Sequence, residues 1–266
     1  MQTCWIFDVD GVITDPVEKK VIEPELFNEI SKRLSSHDVV ALNTGRSLSW
    51  MIDRVISPLE NYVADKSYFS NFIGVGEKGG AWVVYEDENW KNNIDLNISV
   101  PKELQDEIKN MITKNFSDSM FYDESKLTMI STEMLDGYNN DLYLQKQKEI
   151  VGQMRKALEK YKNLDLKIDP TQIATDIQNS RTGKHLGAKR IENWLEQNGI
   201  KPEKIFMFGD SQSDTEMVEE LQERYPAEFV FVNDPSKLDT GKIKCKISYA
   251  SKKFSRGTLE FLKATD

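Results

Sequence analysis

A short apolar run that stops at an acidic or glycine-containing turn and leads into a helix occurs at both ends of this chain. That repeated unit narrows the folds available to it. Residues 3–7, TCWIF, combine aromatic and β-branched side chains and stop at Asp8-Val9-Asp10-Gly11, the pattern of a buried strand. A helix is expected over Glu23–Leu34, with Pro24 near its first turn. A second apolar strand, Val39–Leu42, ends at Asn43-Thr44-Gly45-Arg46, and Ser47 opens a helical stretch that should break at Pro58. Strand, helix, strand, helix predicts a parallel sheet covered on both faces. The pattern resumes with a helix over Gly183–Asn198, a strand over Lys204–Phe208, a helix over Thr215–Tyr225, a strand over Phe229–Val232 and a last helix over Ser255–Lys263.

Between these blocks the texture is more polar. Helices are expected over Pro101–Asn115 and Gln145–Tyr161, with strands at Lys126–Ser131, Leu164–Ile168 and Gln172–Ile177. The fold class is therefore α/β: a Rossmann-like parallel-sheet core from residues 1–85 and 181–266, with an inserted α+β unit over residues 86–180. On these boundaries, removing residues 88–178 should leave a folded core.

A chain of 266 residues has room for both units. The net charge of −9 argues against a broad basic footprint for nucleic acid or an anionic membrane, but it leaves room for an anionic small molecule held by local cations. Cys4 and Cys245 form no disulfide framework and no metal cluster. No stretch approaches the ~20 apolar residues of a membrane span, and the opening MQTCWIFDVD turns acidic before a secretory core could form. A cytoplasmic location is the expectation.

Residues at i and i+2 of a strand end point the same way, so Asp8 and Asp10 converge on one site. A buried carboxylate pair requires a cation or a shared proton, whereas a solvated acidic turn requires neither. Gly209-Asp210-Ser211-Gln212-Ser213-Asp214 brings two more carboxylates to a strand end. Hard oxygen donors of this kind suit Mg2+, although Asp214 also fits the plain role of a helix cap. Thr44-Gly45-Arg46 offers a hydroxyl and N–H groups ahead of a helix, either a phosphate cradle or an ordinary capping turn. Lys184 opens the next helix as a fixed positive charge or as a solvated surface lysine.

In order, the four segments read hhhhDxDG, hhhTGR, a helix-opening lysine and hhhhGDxxxD. This resembles the haloacid dehalogenase superfamily, whose hydrolytic members are mostly phosphatases, over residues 3–85 and 181–263. The resemblance implies that Asp8 is the nucleophile, forming an aspartyl phosphate, and that Asp10 is the acid and base. It implies that Thr44 and Lys184 hold the phosphoryl oxygens, with Gly45 and Arg46 in the phosphate-binding turn. It further implies Mg2+ held by Asp8, the backbone carbonyl of Asp10, Asp210 and Asp214. Val12 stands where many members have Thr, and Ser213 where many cap-bearing members have Asn.

The insertion lies between Thr44 and Lys184. With Gly79-Gly80-Ala81 running into WVVY, it resembles the type IIB cap of the Cof-type, sucrose-phosphatase and trehalose-phosphatase branch. By that resemblance the substrate is a small phosphorylated metabolite, a sugar phosphate before others. Lys126, expected in a cap strand, is a candidate for reaching its leaving group. No nucleic acid or membrane partner is expected, and the protein would be a monomer or homodimer. A phosphomutase or phosphotransferase on the same scaffold, or a non-catalytic sugar-phosphate binder, remain as alternatives.

Overall fold

The computed structural model describes residues 2–265. Two compact units separate: Met1–Asn93 with Gly183–Asp266, and Ile94–Thr182. The first begins with β1 (Thr3–Phe7), α1 (Glu25–Ser35) and β2 (Val39–Asn43). A helical stretch follows as α2 (Leu48–Met51), a π-helical segment over Ile52–Ile56 and α3 (Ser57–Glu60), and then come β3 (Phe72–Gly76), β4 (Ala81–Glu86) and β5 (Asn89–Ile94). The second unit holds α4 (Lys102–Asn115), β6 (Met120–Tyr122), β7 (Ile130–Met134), α5 (Asn140–Leu158), β8 (Leu166–Pro170) and β9 (Ala174–Asn179). The chain then returns to the first unit with α6 (Lys184–Gln197), β10 (Lys204–Gly209), α7 (Thr215–Leu221), β11 (Ala227–Phe231), β12 (Lys246–Tyr249) and α8 (Ser255–Lys263).

The first unit's sheet runs β12-β11-β10-β1-β2-β3-β4-β5. Pairing is parallel from β12 to β3 and antiparallel between β3 and β4. Alternate side chains of the central strands supply two cores. Trp5, Phe7, Val40, Leu42, Phe206 and Phe208 pack with Leu26, Ile30 and Leu34 of α1 and Leu262 of α8. Cys4, Ile6, Val39, Ala41, Ile205 and Met207 pack with Ala188, Ile191 and Leu195 of α6 and Met217, Val218 and Leu221 of α7. Phe7 stacks on Phe208 at 4.6 Å between ring centres, and a Phe7→Ala cavity would cost about 3–5 kcal/mol.

Strand order reverses around β1, because β2 and β3 lie to one side and β10 to β12 to the other. In an open parallel sheet the crevice at such a reversal, beyond the strands' carboxyl ends, collects ligands. The second unit's sheet, β6-β7-β9-β8, is antiparallel. Its core gathers Leu104, Ile108 and Ile112 of α4 with Tyr143, Ile150 and Met154 of α5 and Ile130 and Ile177 of the sheet.

Several expectations need correction. Pro58 lies inside the helical stretch and does not end it. The wider π-helical coil just before it relaxes the clash between a proline ring and the carbonyl one turn back. The helix expected from Gln145 starts at Asn140, because the Asn139 side chain caps it by accepting from Leu142 N at 3.1 Å. The first unit extends past residue 85 because β5 belongs to its sheet. Trp90 of β5 packs edge-on against Phe69 and Tyr85, each at 5.1 Å. Lys126 is not in a strand: Asp123 accepts from Ser125 N at 2.9 Å, making a turn, and β7 starts only at Ile130. Among the described residues no helix is long and apolar enough to cross a membrane.

Candidate active site

Three strand ends of the first unit carry the residues that matter. Asp8 follows β1 directly, held by its N–H donating to Phe208 O at 3.0 Å. Lys184, the first residue of α6, reaches it with Nζ 2.5 Å from Asp8 Oδ1. The same ammonium lies 2.9 Å from Asp214 Oδ1 and donates to Asn43 O at 2.7 Å. Both Asp8 and Lys184 are buried. Burial pulls the ammonium down, but Asp214 and Asp8 together outweigh it and hold it above the ordinary lysine value.

Asp214 works in two directions. Its Oδ2 accepts from Asp210 N and Ser211 N, each at 3.0 Å, and from Ser211 Oγ at 2.9 Å, while Oδ1 faces Lys184. It is thus both part of a capping box for the turn Gln212–Asp214 and a fixed anion beside the lysine. Asp210 follows β10, where Gly11 lets the loop after Asp10 approach it. Gly11 has φ +75°, and a Cβ there would fall 2.3 Å from Asp210 Oδ2.

One oxygen from each of Asp8, Asp210 and Asp214 lies within 4.8 Å of the others. Burial, then the neighbouring Asp214 charge, pushes the Asp210 carboxyl up to about 7. Burial likewise raises Asp8 well above the carboxylate range, against the pull of Lys184. With all three carboxylates ionised, the one ammonium would leave two negative charges, which this crevice accommodates poorly alone. Hard oxygen donors with that excess fit a divalent cation such as Mg2+.

Thr44 follows β2 and is buried; its N–H donates to Val75 O at 2.9 Å and its carbonyl accepts from Lys78 N at 3.0 Å. Its hydroxyl oxygen accepts from Arg46 N at 3.2 Å. Gly45 and Arg46 form the bend after it, and Ser47 caps α2. The Arg46 side chain turns to Asp10, with Nε 2.9 Å from Oδ2 and Nη2 2.9 Å from Oδ1, and its guanidinium lies 4.7 Å over the Trp50 ring. The structure therefore brings Asp8, Lys184 and Asp214 into direct contact, sets Asp210 beside them, and pairs Asp10 with Arg46. Lys126 lies in a loop of the second unit, ahead of β7.

Two further residues at this site are ones to which sequence reading assigns no role. Asn43, fully buried, donates from Nδ2 to Lys184 O at 2.9 Å. Glu216 accepts from Lys184 N at 2.8 Å. Asn43 next to Thr44, and Glu216 two residues after Asp214, are marked by that closeness alone, and neither spacing nor residue type distinguishes them further.

No family model matches the chain, and no curated protein matches it. Solved structures do. The C-terminal domain of C. albicans trehalose-6-phosphate phosphatase superposes with a TM-score of 0.66 at 14% identity, covering 99% of this chain and 91% of that one. A Thermoplasma acidophilum protein gives 0.61 at 15% identity, covering 99% and 98%. The sucrose-phosphatase of Synechocystis, solved with sucrose and phosphate, gives 0.57 at 14% identity, covering 99% and 97%. The chain shares the fold of these structures, an α/β core interrupted by a small α+β unit.

Proposed function

We propose that this protein is a Mg2+-dependent phosphatase that hydrolyses a small phosphorylated metabolite, a sugar phosphate before others. The observation that carries this reading is Lys184 Nζ, held 2.5 Å from Asp8 and 2.9 Å from Asp214 in a buried acidic crevice. A carboxylate attacks an anionic phosphoryl group only where nearby positive charge offsets their repulsion, and this crevice has a lysine and the donors for a cation.

The chemistry proceeds in two displacements. An Asp8 carboxylate oxygen attacks phosphorus, and the bond to the leaving oxygen breaks as Asp10 gives that oxygen a proton. A water that loses its proton to Asp10 then attacks the aspartyl phosphate, which releases inorganic phosphate and frees Asp8. Lys184 and the Thr44 hydroxyl hold the equatorial oxygens, and the Thr44-Gly45-Arg46 turn borders them. Arg46 fixes the orientation of Asp10. Asp8, Asp210, Asp214 and the Asp10 carbonyl would hold the Mg2+, which supplies charge neutralisation and phosphoryl polarisation.

The second unit is proposed to select the substrate, with Lys126 as a residue that meets the leaving group. A sugar phosphate is favoured because a trehalose-6-phosphate phosphatase and a sucrose-phosphatase share the fold over nearly the whole chain. A cytoplasmic monomer or homodimer completes the proposal, in keeping with the free thiols Cys4 and Cys245. The test is a panel of phosphorylated metabolites assayed with Mg2+ and again with chelator, following inorganic phosphate. Phosphate release that chelator abolishes supports the reading. An isomerised sugar phosphate without free phosphate would replace it with a mutase, and binding without turnover would replace it with a sugar-phosphate binder.

A further inference from the structure

We infer that Asn43 and Glu216 are positioning residues that clamp the Lys184 peptide groups from both sides; this inference rests on the phosphatase reading. Lys184 is the first residue of α6, where a helix leaves its N–H groups without internal partners. A lysine there would ordinarily swing freely on four side-chain torsions. Here Glu216 accepts from its N–H at 2.8 Å, Asn43 Nδ2 donates to its carbonyl at 2.9 Å, and Asn43 O takes its ammonium at 2.7 Å. Backbone and tip are fixed by the same two segments that carry Thr44 and Asp214.

The arrangement around Asn43 is not what simple packing would choose. Asn43 ends β2 among apolar residues with no exposed surface, and its Oδ1 is buried without a hydrogen-bond partner. A buried amide left half-satisfied is an energetic burden that an alanine or valine at the same place would avoid, and such burdens persist mainly where function requires the other half. Helix α6 also makes room for it. A Cβ on Gly187 would fall 1.9 Å from Asn43 Oδ1, so glycine at the second turn of α6 is what admits the amide. Glu216 has a second contact, 3.2 Å from His185 Nδ1, which ties it to the same helix start.

A lysine that stabilises charge developing on phosphoryl oxygens acts through its placement, so loosening the clamp should lower kcat and leave KM nearly unchanged. The experiment compares the full-length parent with Asn43→Ala, Asn43→Asp, Glu216→Ala and Glu216→Gln in Mg2+, measuring kcat, KM and inhibition by orthovanadate. Asn43→Asp keeps the shape and removes the donor. Glu216→Gln keeps an acceptor oxygen. Asn43→Ala, Asn43→Asp and Glu216→Ala are expected to lose about tenfold or more in kcat and to bind vanadate correspondingly more weakly, with Glu216→Gln recovering most of the loss. The double variant Asn43→Ala with Gly187→Ala refills the space and serves as the fold control; it should stay folded and remain slow. Parent-like kcat and vanadate affinity in folded Asn43→Asp and Glu216→Ala would overturn the clamp, as would recovery of kcat in the double variant. A parent inert toward every phosphoester would instead overturn the phosphatase reading.

Discussion

Arg46 holds Asp10 in a two-pronged ion pair, Nε to Oδ2 and Nη2 to Oδ1 each at 2.9 Å, while its guanidinium rests over Trp50. The pair is partly solvated, so it adds no more than about 1 kcal/mol to stability and acts chiefly by aiming the carboxylate. Arg46→Met should therefore leave the thermal midpoint nearly unchanged and lower kcat by about 10–100-fold on an alkyl phosphate. An aryl phosphate with an acidic leaving group needs little proton donation and should lose less in its first step. Equal losses on both substrates in single-turnover measurements would contradict the assignment of Asp10 as the acid.

Asp8→Asn removes the proposed nucleophile without changing its shape. Turnover should fall below about a thousandth of the parent, and acid-quenched protein should carry no phosphorylated aspartate. Burial, together with Asp214 and Asp10, opposes a charge on Asp8. In the absence of Mg2+ the variant should accordingly melt no lower than the parent. A full-length variant with parent-like turnover would remove Asp8 from the mechanism.

Asp210 links stability to pH and metal. Its carboxyl rises from 3.8 to about 7, so in chelator the folded protein keeps a proton that the unfolded chain has released. This group's contribution should therefore fall as pH rises from 3.8 to about 7 and stay level above it. Mg2+ competes with that proton, so the gain in thermal midpoint on adding Mg2+ should be larger at about pH 8 than at about pH 5.5. Asp210→Asn should flatten the difference. Equal Mg2+ gains at both pH values in the parent would argue against Asp210 as a ligand.

The second unit has its own core, from Leu104 and Ile108 through Tyr143 to Ile177. Excised as residues 94–182 it should fold cooperatively, read by circular dichroism and a sigmoidal urea transition. Replacing the same residues by a flexible linker should leave a folded first unit that cleaves simple phosphoesters and loses its preference among metabolites. Deleting residues 88–178 is a poorer cut, because it takes away β5 and the Trp90 ring that covers Phe69 and Tyr85. That shorter core should be less stable and more prone to aggregate along the bared β4 edge.

The central strands were legible because their centres, CWIF and IFMF, are apolar throughout and stop at acidic turns, the pattern of a doubly covered strand. β5, NWKNNI, escaped because an edge strand buries little beyond Trp90 and looks polar in a linear reading. KLTMIS begins with the alternation of a strand, yet ladder pairing starts only at Ile130 with β9 and at Thr132 with β6, after the Asp123 turn. Asp8, Asp10, Asp210 and Lys184 stood out by residue type and place. The hydrogen bonds that tie Lys184 to Asn43, 141 positions away, and to Glu216, 32 away, arise from how strands and helices stack, and nothing local encodes that.

β1 carries Asp8 and is flanked by β2, made soon after it, and β10, made only after the whole second unit. While the protein is being synthesised, the strand bearing the proposed nucleophile has one partner and one raw hydrogen-bonding edge until β10 emerges. The proposed site is thus completed only after the second unit has been made, and the cell meets an adhesive half-sheet before it meets a finished crevice.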